Sequence, residues 1–273
     1  MALYFVTIVL SLIPLAAGLT TGCINKTTPS SSCCYGEIEL DPSLTEIEQD
    51  AFFECSGLTG TLTIPNGVTK IGMNAFKRCD SITALNLPNS LTYISSSAFN
   101  ACDGLTGSLL LPDKVEYIGD SGFYGTDFTG ELVFPETVTY IGRSAFTANR
   151  NFNGTLTIPP KVTTISDFAF NGANGFSSLK LHDEITSIGK SAFHSGDGFR
   201  GELVIPSSLT YVGEYAFTKC RYFSGELVIP STVKEIAKEG FSRCSGFTSI
   251  LVSPETDIAE DAFLGDVEVT VVE

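Results

Sequence analysis

The sequence predicts a single curved solenoid: about ten right-handed turns, rich in short parallel β-strands and with few helices. Three regularities predict it. Proline closes an L-x-I-P phrase at Pro65, Pro88, Pro112, Pro135, Pro159, Pro206, Pro230 and Pro254, and His182 holds the slot between Pro159 and Pro206, in steps of 23 or 24 residues. Phenylalanine, usually behind alanine, follows 11 residues after each of these positions from Phe76 through Phe241, with Phe52 and Phe263 extending the column at its ends. Apolar residues alternate ahead of each proline, as in Leu62-x-Ile64, Leu132-x-Phe134 and Leu227-x-Ile229, which is the period of a half-buried strand.

Residues 1–18 precede the pattern. The apolar run from Ala2 to Ala17 is broken by Thr7, Ser11 and Pro14 and ends in Ala16, Ala17 and Gly18, so it reads as a secretory signal peptide. It is short for a spanning helix and carries a helix breaker. No integral membrane segment is expected after its cleavage. Residues 19–36 are expected to form an N-terminal cap stapled by Cys23, Cys33 and Cys34. One pair would close the Ser/Thr loop and the odd cysteine would be free or reach Cys55; the connectivity stays open. The sequons N-K-T at Asn25 and N-G-T at Asn153 are candidate glycosylation sites.

Residues 37–264 carry the repeats. No single turn can bury its own apolar edge, whereas identical turns stacked side by side bury continuous ladders of Leu, Ile, Val and Phe. A second apolar pair, such as Val68 with Ile71 or Val138 with Ile141, predicts a second short strand in each turn. Five of the eight cysteines, Cys55, Cys79, Cys102, Cys220 and Cys244, share a slot three residues after the Phe, and other repeats put Thr126, Asn149, Ala173 and Gly196 near it. A slot accepting such small residues is an interior space for a packed thiol rather than a metal ligand set, which would need paired spacing and histidine. Residues 265–273 form an acidic cap or tail. From Glu255 to Glu273 the chain has seven acids and no base, which suits an edge blunted by charge.

The phrase L-x-x-x-L-x-I-P-x-x-V-x-x-I-G-x-x-A-F-x-x-C resembles the leucine-rich repeat of the BspA type, also called the treponemal-like class. The resemblance covers about residues 37–264. Departures are His182 in a proline slot, Gly122 and Gly240 for alanine, and a shortened last repeat. The resemblance implies a secreted or surface-displayed binding solenoid, a kind often linked with adhesion to matrix or host proteins. It implies no particular ligand.

Composition narrows the partners. A net charge of -15 with only 16 scattered basic residues opposes nucleic acid, whose phosphates are held by clustered Lys and Arg, and opposes anionic lipid. No phosphate loop, nucleophile elbow or H-E-x-x-H pair occurs. His194 with Asp197 lies in a Gly-rich turn that reads as a solvated loop. Catalytic residues, metal and cofactor are therefore all expected to be none, and the chain is expected not to be an enzyme.

The outward columns carry the functional signal. On the first strand, Leu110 with Val133, and Val204 with Val228 and Leu251, form two apolar groups flanked by Glu131, Glu202 and Glu226. Contiguous exposed apolar residues suit a partner surface. On the second strand a threonine column (Thr45, Thr69, Thr92, Thr139, Thr163, Thr186, Thr210) is interrupted by Glu116 and Lys234 and runs beside Tyr93, Tyr117 and Tyr140. Tyrosine is an interface anchor, which makes that triplet a second candidate patch. The expected function is a non-catalytic protein-binding or adhesion module, secreted or at the cell surface. Its partner would be an extracellular protein or cell-surface ligand, or a glycan. The alternative is a structural solenoid whose regular threonine array meets a glycan or crystal surface.

Overall fold

The computed structural model describes residues 35–265 and 268–272. The expected signal peptide, Cys23, Cys33, Cys34 and Asn25 lie outside them. The described chain is a parallel β-solenoid of about ten turns, and no helix occurs among the described residues. Each turn carries up to three short strand segments and one helix-free bend bearing the A-F phrase.

The second strands pair with the least interruption. Glu46–Ile47, Lys70–Ile71, Tyr93–Ile94, Tyr117–Ile118 and Tyr140–Ile141 form one five-stranded parallel sheet; Thr164–Ile165, Ser187–Ile188, Tyr211–Val212, Glu235–Ile236 and Asp257–Ile258 form another. Equivalent isoleucines face each other across the ladder, as with Ile71 and Ile94, and point into the core. Between the sheets, from Ile141 to Ile165, the ladder stops. Elsewhere the main-chain N–H of Gly119 or Gly142 donates to the isoleucine carbonyl of the preceding turn at 2.8 Å. At the break the Ser166 hydroxyl makes that bond to Ile141 instead, at 2.6 Å.

The residue that opens the turn between strands explains the proline column. The Pro65 carbonyl accepts from Val68 N–H at 3.0 Å, and Pro88, Pro112 and Pro206 do the same for Leu91, Val115 and Leu209. This is an i to i+3 turn in which proline stands at the first position and supplies only its carbonyl, so the missing N–H costs the turn nothing. His182 does the same for Ile185 at 3.2 Å, so the departure from proline leaves the turn intact. In the last repeat the turn runs from Ser253 to Thr256. The slot expected for Pro254 thus belongs to Ser253, and Pro254 is exposed one position later.

The A-F bend is the strained part. Among the described residues sixteen non-glycine residues have positive φ, and all sit two before or two after the column phenylalanine, as Asn74 and Arg78 do around Phe76. Left-handed backbone costs an L-residue about 1–2 kcal/mol, so something must hold it. Inter-turn bonds do. N–H groups of Asn74, Phe76 and Arg78 donate to Ser96, Ala98 and Asn100 carbonyls of the next turn at 3.1, 2.8 and 2.8 Å. The pattern recurs along the stack.

Inside this frame the phenyl rings stack. From Phe52 to Phe263 each column ring lies on the next at 5.0 to 5.7 Å with nearly parallel planes, as in Phe76 on Phe99 and Phe146 on Phe170. A second column, Phe128, Phe152, Phe176, Phe199, Phe223 and Phe247, stacks beside it at 5.5 to 6.3 Å. It continues Leu58, Ile82 and Leu105, all buried. Aromatic pairs contribute about 0.5–1.5 kcal/mol each beyond burial. Close packing also fixes certain glycines. A Cβ on Gly175 would lie 2.0 Å from the Phe152 carbonyl oxygen.

The C-terminal tail differs from the expectation of an edge blunted by charge alone. Val269–Val271 is a further parallel strand paired with Phe247–Val252. At the other end, Tyr35–Gly36 pairs with Gly57–Leu58.

Two substitutions test this account. Phe170→Ala should destabilise the fold by about 3–5 kcal/mol through lost burial and an unfilled cavity. Gly175→Ala should cost about 1–3 kcal/mol through overpacking against fixed backbone. Denaturant unfolding followed by far-ultraviolet circular dichroism reads both, and an unchanged midpoint for either would show that the turns do not pack as described.

Candidate binding face

The first strands pair only in places. Gly60–Thr63 lies on Ile82–Asn86, Thr155–Thr157 on Ser178–Lys180, and Gly225–Val228 on Phe247–Val252. Where these pairs form, a main-chain bond closes each strand: Ile64 N–H to Asn86 O at 3.0 Å, Ile158 to Lys180 at 3.1 Å, and Ile229 to Leu251 at 2.8 Å. Among the described residues no such bond joins Leu111 to Val133, or Phe134 to Thr157. Gly130–Glu131 pairs with Phe152–Asn153, and beyond that point the strands part.

The apolar outward residues sit where the ladder is open. Leu110, Val133, Val204 and Val228 are 78%, 67%, 71% and 51% exposed. Leu251 departs from them and is only half-buried to solvent, because its backbone pairs with Val228 on one side and Thr270 of the tail strand on the other. The second apolar group thus shortens to Val204 and Val228. Glu226 beside it accepts from the Ser249 hydroxyl at 2.9 Å.

Two depressions flank Val133. One of about 450 Å³ lies between the strand segments Glu131–Phe134 and Thr155–Ile158, with Glu136, Pro159 and Pro160 completing its wall. The other, about 240 Å³, lies between Leu109, Leu110, Leu111 and Val133, bordered by Asp113 and Glu131. Glu131 and Val133 line both.

The tyrosine patch has a different character. Tyr93, Tyr117 and Tyr140 stack at 4.2 and 4.7 Å, 3° and 15° from parallel. Their faces cover one another, leaving edges and hydroxyls outward. Tyr140 donates from its hydroxyl to Asp120 at 3.2 Å. Burial first, then the Tyr93 hydroxyl and neighbouring charge, push Tyr117 well above the ordinary phenol range, and Tyr140 rises through burial and the Asp120 carboxylate. The threonine column is also engaged: Thr69, Thr92, Thr139, Thr186 and Thr210 donate their hydroxyls to carbonyls of the preceding turn at 2.9 to 3.3 Å.

No group of three or more potential metal-ligating side chains forms among the described residues. Cys79, Cys102, Cys220 and Cys244 are buried thiols, and Cys55 is disulfide-bonded. Cys102, Cys220 and Cys244 point their thiols at the carbonyls of Phe76, Phe193 and Phe217, at 2.9 to 3.1 Å. Burial pushes Cys244 up to about 12 and raises Cys102 and Cys220 as well. His194 engages the Ser195 hydroxyl at 3.0 Å while Asp197 faces Arg221 at 3.8 Å. Burial, and next the Lys219 charge, lower the His194 pKa. Asn153 is exposed on its short strand.

Sequence reasoning placed the outward columns but missed two features. One is the second phenylalanine column, whose signal is an apolar residue two or three positions after the cysteine slot. The other is the opening of the ladder. Its trace is Phe134, the one aromatic in the column Ile64, Leu87, Leu111, Phe134, Ile158 and Leu181; its ring meets Phe146 and Phe170 edge-on.

A sequence profile for the BspA type leucine-rich repeat region matches residues 26–153 and 153–270. A search of curated proteins finds no match. A leucine-rich repeat protein from Bacteroides ovatus ATCC 8483 is similar in structure with a TM-score of 0.70 at 26% identity, over 82% of this chain and 59% of that one. A leucine rich cell surface protein from Faecalibacterium prausnitzii A2-165 gives 0.54 at 25% identity, over 83% and 63%. The pneumococcal vaccine antigen PcpA gives 0.56 at 19% identity, over 84% and 66%, a likeness of fold alone. In each case this chain spans less than two thirds of the other protein's length.

Thiol chemistry offers a check on the core. In native protein at pH 8, iodoacetamide should leave Cys79, Cys102, Cys220 and Cys244 unlabelled, since burial blocks access and disfavours thiolate. Denatured protein should label at all four, as read by peptide mass spectrometry. Rapid labelling of the native state would show an open cysteine column.

Proposed function

The chain belongs to the BspA type leucine-rich repeat family, and from that premise we propose that it is a non-catalytic protein-binding and adhesion module acting outside the cell or at its surface. The observation that carries this reading is the first-strand face. Four large aliphatic side chains there are more than half exposed, on two pairs of neighbouring turns. Exposed apolar groups on neighbouring turns of one sheet suit a partner rather than solvent. Likeness to a bacterial cell surface protein supports the location. Among the described residues no helix is long and apolar enough to cross a membrane. The Leu110, Val133, Val204 and Val228 side chains are the proposed contacts, with Leu251 and the Tyr93, Tyr117 and Tyr140 edges at the margins. Asn153, and Asn25 beyond the described residues, are proposed glycan acceptors where the host attaches N-glycans.

A regular array meeting a lattice or polysaccharide is the competing reading. The threonine hydroxyls argue against it, because their protons are committed to bonds between turns. The outward first-strand column also changes chemistry from turn to turn, from Asn86 to Leu110, Val133, Thr157 and Lys180.

The test sets binding to a panel of purified extracellular proteins and glycans against the variant Leu110→Ser/Val133→Ser/Val204→Ser/Val228→Ser. Binding to a protein should fall by about tenfold or more, the loss expected when interface anchors are truncated, with little change in Tm because the residues are outward. A signal confined to glycans and lost on replacing Thr69, Thr92 and Thr186 with Val would overturn the proposal in favour of the lattice reading.

A further inference from the structure

Within the proposed binding role, and resting on it, the geometry points to one recognition site: the cleft around Val133, taking an extended polypeptide segment in which an apolar side chain is flanked by lysine or arginine. Three separate features converge there. Both inter-turn ladders stop at this place. The second-strand sheet ends at Tyr140–Ile141 and resumes at Thr164–Ile165, and the first strands part after Glu131 and Asn153. The phenyl stack and the bonds of the bend run through unbroken, with Phe146 on Phe170 at 5.7 Å and Phe146 N–H to Ala169 O at 2.8 Å. The gap left on the first-strand side is the larger of the two depressions.

The second feature is what the opening exposes. N–H groups of Leu111 and Phe134 have no main-chain acceptor among the described residues, as is also so of Leu87, Leu181 and Ile205, whereas the equivalent Ile64, Ile158 and Ile229 do; only beside Phe134 does the second-strand sheet break as well. An extended segment can satisfy such donors with its own carbonyls, as in strand addition. Between those donors, Val133 and Leu110 offer an apolar floor.

Charge supplies the third. The described ion pairs, from Lys70 with Glu46 to Lys238 with Asp261, engage none of Asp113, Glu131 or Glu136. These carboxylates border the two depressions and stand unneutralised around an apolar centre. Complementary charge at a rim selects partner and register. Lys180, outward two turns on, bounds the site. At about 4.8 Å per turn, the stretch from Leu110 to Thr157 accommodates roughly three to four extended residues.

The probes are three fluorescein-labelled decapeptides, alternating lysine–leucine, lysine–serine and glutamate–leucine, titrated by anisotropy against the full chain. The lysine–leucine peptide should bind, and the other two should bind at least about tenfold more weakly, since apolar centre and basic rim are both required. Val133→Ser, and separately Glu131→Gln/Glu136→Gln, should each weaken it by about tenfold. The matched control changes Met73→Ser and Glu48→Gln/Glu235→Gln, exposed and away from the first-strand face, should not. Where Val133→Ser fails to fold by Tm, Val133→Thr replaces it. A photo-leucine version should crosslink within residues 109–113, 131–136 or 155–160. Equal losses at the matched positions, equal binding of lysine–serine peptide, crosslinks elsewhere or no binding at all would overturn the proposal. If the peptide fails while the extracellular panel still shows protein binding that depends on Val204 and Val228, the site is wrong and the binding role stands. If the panel is also silent, the role itself falls.

Discussion

Everything in this molecule hangs on main-chain bonding from one turn to the next across the A-F bends. There the backbone alternates into left-handed conformations that an L-residue resists, and no side chain could make that alternation favourable alone. What does so is the succession of N–H groups donated to the following turn, Phe52 to Ala75, Phe76 to Ala98, Phe99 to Gly122. With those bonds in place the phenylalanines fall at a common spacing and stack. The isoleucines opposite are then brought over one another as well. Strand pairing on the far side follows from that spacing and can be dispensed with locally, which is why interruptions of the ladders leave the core intact.

The fold was legible in the sequence because a repeated phrase reports the same contact many times. Proline, the strand pair and the phenylalanine each recur in register, so a single departure such as His182 does not obscure the pattern. Ends and interruptions are less legible. Pro254 resembles the proline of the phrase, yet Ser253 makes the turn, and only the shift in hydrogen bonding reveals it. The tail's acids suggested an edge protected by charge, while Val269–Val271 supplies a strand whose alternation is too short to stand out. Leu251 loses part of its exposure to that strand, a contact between neighbours that a single-turn reading cannot see.

The binding face was half legible. Outward positions follow from the two-residue period, and the exposures of Leu110, Val133, Val204 and Val228 agree with it. Whether adjacent strands stay joined is a different matter, which contacts between turns settle and a single-turn period does not report. The tyrosines illustrate the same limit. Their column was evident from spacing, but stacking face to face consumes the surfaces an aromatic anchor would offer. The threonines likewise spend their hydroxyl protons on the turn before them.

The coincident break in both ladders has a mechanical consequence. A linear array in which each unit touches only its neighbours divides its cooperativity at its weakest junction. Between the turns of Ile141 and Ile165 that junction rests on the phenyl stack, the bonds of the bend, a serine hydroxyl and the two-residue pair of Gly130–Glu131 with Phe152–Asn153. Tension applied along the stack, as on a surface tether in moving fluid, is therefore borne unevenly. The molecule would yield first at its middle, as two rigid halves joined by an aromatic clasp, and lengthen before either half unravelled.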